Sequence, residues 1–276
     1  NGITGDWARW WANIVLNKEG SEHVRLRKLV NPAFASRHVE GLVPKFQELA
    51  NELIDGFIDD GQCEFMHQFS EPYATRVICR LLGVSDDNWE DLALYAEKMS
   101  LALSIAAKER LDEVEWGLEQ MGIYADGLIA ERRTEPKDDF LQSLVDANED
   151  GDRLSDVELR DTVILLFQGG IDTTRNQLGL GIDLFIRHPD QWRLLGQHPE
   201  YAANAVEEIA VIAADVNERM ENMLESLSDG FCAVDHDWRI TYINGRALSM
   251  LAPLARTRTD LVGRDLWEAF PELHGT

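Results

Sequence analysis

Val163-Ile164-Leu165-Leu166-Phe167-Gln168-Gly169-Gly170-Ile171-Asp172-Thr173-Thr174 is the stretch whose reading decides the fold. It sits inside a longer apolar run that Ser155 and Glu158 open as a capping box, the serine oxygen accepting an orphan amide and the glutamate reaching back. The run continues to about Ile186 and is apolar nearly all round, which predicts a long central helix rather than a surface one. Two adjacent glycines inside it cost about 1 kcal/mol each relative to alanine. Paired glycines let another body approach the backbone, and a neighbouring acid and hydroxyl rearrange helical hydrogen bonds and hold water. That combination suits proton delivery to a bound ligand. The plain alternative is a glycine-kinked core helix with an incidental aspartate and threonine.

The pattern on the N-terminal side of this helix is helical throughout, from Trp7 onward, with loops marked by Gly, Pro and Asp clusters. Val39, Leu42, Phe46, Leu49, Leu53 and Phe57 step by three and four and define one core-facing stripe. Phe65, Phe69, Tyr73, Val77 and Leu81 form a second stripe, which Gly83 stops and after which Ser85 reads as an N-cap. Further helices are expected over about 86 to 103, 107 to 132 and 138 to 147, with Pro136 separating the last two.

Beyond Ala210 the character changes. Ile209, Ile212, Val216, Met220, Met223 and Leu227 keep a narrow coiled-coil seam flanked by Asn217, Glu218, Arg219 and Glu221, which predicts a linking helix over 210–229. Phe231 to Asn244 then reads as two short strands joined by Asp235-His236-Asp237, with Trp238, Ile240 and Tyr242 alternating on one side.

With 276 residues, 45% hydrophobic and 28% charged, the chain reads as a folded globular protein of one large domain or two modest ones. A formal charge of −24 argues against nucleic acid and anionic lipid as partners. No run approaches the roughly 20 apolar residues of a membrane span, and no basic segment leads into an apolar one at the N-terminus. The expected location is cytoplasmic. The chain opens at Asn1 without a methionine and closes at Leu273-His274-Gly275-Thr276, which we read as a fragment. Three scattered cysteines, Cys63, Cys79 and Cys232, form neither a disulfide framework nor a zinc site, and no metal ligand set is expected.

Gly169-Gly170-Ile171-Asp172-Thr173-Thr174 resembles the oxygen-binding helix motif of the cytochrome P-450 family, small-Gly-x-acid-Thr-Thr/Ser. Upstream, His23-Val24-Arg25-Leu26-Arg27-Lys28-Leu29-Val30 followed by Pro32-Ala33-Phe34 resembles that family's helix in which a histidine and an arginine four residues later pair with haem propionates. His188-Pro189-Asp190-Gln191-Trp192 and His198-Pro199-Glu200 resemble the helix after the oxygen-binding one. The resemblance covers residues 1–209 and implies a mainly α fold of the bacterial soluble type, haem as cofactor, and hydroxylation of a small organic substrate with electrons from a ferredoxin-type partner. It further implies that Gly169 and Gly170 open a groove above haem, that Asp172 and Thr173 relay protons, and that His23 and Arg27 hold the propionates. At i and i+4 those last two share one helix face; the bland reading, a solvated basic face, is preferred for Arg25 and Lys28.

The chain departs from the family where a Glu-x-x-Arg pair should follow, because Val211 stands where the arginine counted from Glu208 belongs. None of the three cysteines has the glycine-rich context of the family's thiolate loop, so activity in this polypeptide is not expected. Leu224 to Phe231, Val234-Asp235, Ile240 to Asn244, Leu261 to Trp267 and Phe270-Pro271 resemble the first half of a PAS sensor domain. This implies a partial α/β module over 230–276 with an unpaired sheet edge. A small mixed extension of no sensory role stays open beside it. The alternative to a monooxygenase is a sensory or dimerising signalling protein, self-associating through 210–229.

Overall fold

The computed structural model describes residues 5–31, 36–103, 110–149, 154–226, 232–234, 238–250 and 258–270. Ten helices come first: α1 Asp6–Asn13, α2 Gly20–Val30, α3 Ser36–Asp55, α4 Glu71–Leu82, α5 Trp89–Ser100, α6 Leu111–Thr134, α7 Phe140–Glu149, α8 Asp156–Arg187, α9 Pro189–Gln197 and α10 Ala202–Ser226. Two short strands follow, β1 Cys232–Val234 and β2 Ile240–Ile243, then three short helices, α11 Gly245–Met250, α12 Arg258–Leu261 and α13 Leu266–Ala269. The expected fold class holds: a mainly α body and a small α/β piece at the C-terminal end. The chain divides into two compact units, from Thr4 to Asp183 and from Leu184 to Thr276. Among the described residues no helix is long and apolar enough to cross a membrane.

In the first unit, α5 lies along α6 at very short range. A Cβ on Gly117 would stand 2.9 Å from the carbonyl oxygen of Tyr95, so only glycine lets the two backbones meet there. Leu49, Leu82, Leu92, Met99, Met121, Leu144, Leu159 and Phe167 are sealed in the core from six different helices. Arg132 of α6 is buried among them at 1% exposure, and it is satisfied rather than stranded. Its guanidinium donates to Asp139 at 2.8 Å and to the carbonyl of Gly83 at 2.7 Å. Gly83 itself closes α4 in the left-handed region at φ 78°, as its place after a helix predicts.

Several details of the reading change. The α3 stripe faces inward as expected at Leu42, Phe46, Leu49 and Leu53, but the helix ends at Asp55, before Phe57, and the Val39 side chain lies outside the described residues. The second stripe is a half-buried aromatic ladder, Phe65 on Phe69 at 5.2 Å and Phe69 on Tyr73 at 5.3 Å. The buried face of α4 is instead Ala74, Thr75, Ile78, Cys79 and Leu82, because a π-turn at Met66–Ser70 inserts a phase shift that a uniform 3.6-residue count misses. Ser85 caps only the turn before α5, accepting from the Asp87 amide at 3.1 Å, and the helix starts later, at Trp89.

In the second unit α10 passes Ile209 without a break. β1 and β2 pair antiparallel with an irregularity between Ala233 and Val234, so Ile240 and Ile243 are the buried strand residues rather than an alternating Trp238, Ile240 and Tyr242. Trp238 has φ 61° and lies outside the strand, half exposed. The loop 235–237, Phe231 and Leu227 fall outside the described residues. Ile240, Ile243, Ala247, Leu261, Ala269 and Phe270 make a small core of their own.

Candidate functional site

The site is built on α8. Its capping box forms as the sequence predicts: Glu158 accepts from the Ser155 amide at 2.7 Å and the Ser155 hydroxyl from the Glu158 amide at 3.2 Å. Glu158 also receives the Arg25 guanidinium from α2, so Arg25 is an inter-helix tie and not part of a solvated basic face. Burial works to raise the Glu158 carboxyl, and the Ser155 amide and Arg25 together overcome it and hold it below the usual range.

From that anchored end the helix runs with one side open. At about 100° per residue, Thr162, Leu165, Leu166, Gly169, Thr173, Asn176 and Leu180 share a stripe, and every one of them is half-buried or exposed. Val163, Ile164, Phe167 and Ile171, on the opposite side, are buried. The helix is therefore central along one side only, not all round. The two glycines part company on this geometry. A Cβ at Gly169 would meet nothing within 4 Å, whereas at Gly170 it would press into Ile78 of α4 at 2.8 Å. Gly169 leaves the open stripe bare, and Gly170 instead lets α4 and α8 close on each other, which corrects the expectation that both open a groove.

Thr173 turns its hydroxyl back to the carbonyl of Gly169, the residue one turn earlier on the same stripe. Asp172 is on the shoulder of the stripe and is held there by Arg175, whose guanidinium donates to it at 2.9 Å and to Glu71 of α4 at 3.3 Å. The buried hydroxyl of Ser70 donates to the Arg175 carbonyl at 2.7 Å, which fixes that turn of α8 against the start of α4. Asp172 and Thr173 thus sit on adjacent positions but hydrogen-bond in different directions. Arg175, Glu71 and Ser70 were missed from the sequence. The i,i+3 spacing of Asp172 and Arg175 was a usable signal; Glu71, more than a hundred positions away, offered none.

His23 and Arg27 share one face of α2, and their side chains make no hydrogen bond or ion pair with another described residue. With Val24, Lys28 and Asn31 they line an open cavity of about 630 Å³. The structure does not bring them into contact with the α8 motif. The tie between the two helices is Arg25 to Glu158, about three turns ahead of Gly169.

A haem against this stripe would find a bare glycine and half-buried leucines, with the His23 imidazole and the Arg27 guanidinium on α2 bonded to no other described residue. No cysteine lies on the stripe itself. Cys79 is fully buried on α4, and burial, with Asp86 adding, pushes its thiol up to about 12, so it is neutral. Cys63 lies exposed ahead of α4, and Cys232 is on β1 in the other unit. A flat cofactor face fits the open stripe, and none of these three cysteines stands on α8. Among the described residues no group of three or more His, Cys, Asp or Glu could hold a metal ion.

The cytochrome P-450 family model matches residues 106–228. The chain is 35% identical over 194 residues to cytochrome P-450 107B1 of Saccharopolyspora erythraea, a match covering 70% of this chain and 46% of that protein. The helical body belongs to the cytochrome P-450 family. The 6-deoxyerythronolide B hydroxylase of the same organism is 29% identical over 247 residues, covering 89% of this chain and 60% of its own. Among solved structures, the Bacillus subtilis bacillaene polyketide synthase cytochrome P-450 PksS superposes with a TM-score of 0.67 at 30% identity, over 75% of this chain and 52% of that one. The chain therefore spans about half the length of the P-450 relatives it matches. A PAS domain model matches residues 218–276, and the two family matches overlap over 218–228, a stretch that begins on α10.

Proposed function

We propose that residues 1–209 are the oxygen-helix half of a haem monooxygenase acting on a small organic substrate, and that this polypeptide does not itself complete the reaction. The observation that supports both parts is the open stripe of α8, on which none of the three cysteines lies. Bound haem would supply oxygen activation; the residues of this chain would prepare its face. Gly169 leaves room for a flat group against the helix. The Thr173 hydroxyl and the Asp172 carboxylate, poised at the rim, would pass protons toward that face, the threonine by releasing the Gly169 carbonyl and the aspartate by leaving Arg175. His23 and Arg27 would donate to the two carboxylates of the cofactor, in keeping with side chains that bond no other described residue. We place the protein in the cytoplasm, with a ferredoxin-type protein as the electron donor of the intact enzyme.

Adding haem to the purified chain and recording the carbon monoxide difference spectrum tests this reading. Association without a thiolate-type band is expected, and His23→Ala with Arg27→Ala should weaken it. A thiolate-type band, or iron held firmly by Cys63, Cys79 or Cys232, would overturn the proposal.

A second reading is favoured by the PAS match and the unbroken α10: the region from 210 onward is a linker helix, 210–229, and a partial sensor module, 230–276, through which copies of the chain self-associate. At its described start the seam opens on a groove of about 450 Å³, which Ile209 and Ile212 line with Leu184, Phe185, Leu194 and Leu195. Self-association would then rest on Val216, Met220 and Met223. Sedimentation of the full chain against its Val216→Glu variant tests it, and a monomer in both would remove the reading.

A further inference from the structure

Along α10, Ala205, Glu208, Ile209 and Ile212 fall on one stripe, and on α9 Gln191, Leu194 and Leu195 do the same. Both stripes line the groove of about 450 Å³, which Leu184 and Phe185 complete from the last turns of α8. All of these residues belong to the unit from Leu184 onward, so the groove is a feature of one body. Between Asn204 and Ile212, which both line it, the groove follows α10 for about 12 Å. That is close to the roughly 10.5 Å between the outer anchors of a helix that inserts side chains at i, i+3 and i+7. Leu194 is 41% exposed and Tyr201 45%, so large apolar side chains meet water along it. An apolar surface of this kind with a polar rim marks an interaction site.

Charge narrows the choice of occupant. Glu208 lines the groove and Glu207 is next to it; both are exposed, and neither makes an ion pair with a described residue. On the helical body, exposed carboxylates do find a cation: Glu52 meets Arg76, Asp126 meets Arg160 and Asp156 meets Arg133. The groove offers no such neutralisation, because no lysine or arginine is among the residues that line it. A formal charge of −24 on the chain also disfavours a second copy at this rim.

We propose that the groove between α9 and α10 docks an amphipathic helix with a basic flank. Three of its apolar side chains enter between Leu194, Leu195, Ile209 and Ile212, and a lysine or arginine beside them meets Glu208 and Glu207. Apolar burial supplies the affinity, and the unpaired carboxylates select the sign of the partner. The proposal rests on neither the haem reading nor self-association.

The experiment uses the full chain and two fluorescein-labelled peptides of about 15 residues, long enough to form a helix on docking. They share leucines at i, i+3 and i+7, with lysine and alanine filling one and glutamate and alanine the other. Fluorescence anisotropy should show saturable binding of the lysine peptide, at least about tenfold tighter than the glutamate peptide and weaker as salt is raised. Leu194→Glu should weaken it about tenfold by removing apolar contact, and Glu208→Lys about fivefold by reversing the rim charge. Glu90→Lys, an exposed change on α5 of the other unit, should leave it unaltered. Equal weakening by Glu90→Lys and Glu208→Lys would mean general attraction to an acidic protein, and it overturns the proposal. Equal affinity for the two peptides, or no saturable binding, does so too. Sedimentation that shows a dimer dissolved by Glu208→Lys would give the groove to a second copy instead. Should Leu194→Glu fail to fold by circular dichroism, the exposed Glu208→Lys decides alone.

Discussion

The unit from Thr4 to Asp183 and the unit from Leu184 onward solve the same problem at different depth. In the first, six helices seal large side chains completely and hold a buried guanidinium, Arg132, with Asp139, Glu131 and the Gly83 carbonyl as acceptors. In the second, six buried residues around a two-stranded sheet make the whole described core, and Phe270 is its one aromatic. The deep unit can carry functional polar groups, such as Asp172 with Arg175, because its packing offsets their cost. The shallow unit has no such reserve, and a two-stranded sheet is marginal without further cover. The polar groups of the proposed cofactor face lie in the first unit, where that packing is deepest.

The largest effect expected is on the buried charge. Arg132→Ala should cost about 3–5 kcal/mol, because Asp139 and the Gly83 carbonyl lose their donor inside the core. Urea unfolding followed by helical circular dichroism reads it. A loss under about 1 kcal/mol would mean that the first unit is no deeper than the second, and the contrast would fail.

Next comes the small core. Ile243→Ala should cost about 2–4 kcal/mol locally, enough to remove the order of the C-terminal unit. The helical transition should stay within about 0.5 kcal/mol of wild type, as for sites that share no partner. Hydrogen exchange read separately on β2 and α6 distinguishes the two. Equal loss of protection in both would show that the two units unfold as one.

How much of this was legible beforehand depended on how far the partners lie apart in sequence. Ser155 and Glu158 are three residues apart, and their reciprocal bonds formed as the pattern states. The extent of α8 was clear from its apolar run, while its one open side was not, because apolarity does not say which face the rest of the chain leaves bare. The motif was readable as a string, yet the separate fates of Gly169 and Gly170 depend on Ile78, a residue about ninety positions away. Arg25, read as a solvated cation, finds Glu158 only once α2 is laid on the start of α8. The second stripe misled because the π-turn at Met66–Ser70 breaks the count, and Trp238 misled because its positive φ takes it out of the strand. Local periodicity carries the elements; it does not carry the contacts across them.

A smaller effect separates the units by pH. Asp161 on α8 is 3% exposed with one carboxyl oxygen unpartnered, and burial pushes its carboxyl up against the pull of Arg160 and Arg9. Because the native value is raised, its contribution to stability is full below the ordinary aspartate value of 3.8 and is lost as pH climbs through the raised native one. Asp161→Asn should flatten that decline in the helical transition and leave the C-terminal unit's profile untouched. An unchanged profile would place the carboxyl in water.

The smallest effect tests how the open stripe is held. Ser155→Ala removes one cap bond from α8 and should cost about 1 kcal/mol. Glu158→Ala should cost more, since it removes both the reciprocal bond to the Ser155 amide and the acceptor for Arg25. If the cap alone anchors the helix, the two variants will match, and Arg25→Ala will be silent. If the tie to α2 matters, Arg25→Ala and Glu158→Ala will couple in a double-mutant cycle while Ser155→Ala and Arg25→Ala add. Coupling is the expected result, because α2, which carries His23 and Arg27, is fixed to α8 at this end by Arg25 and Glu158.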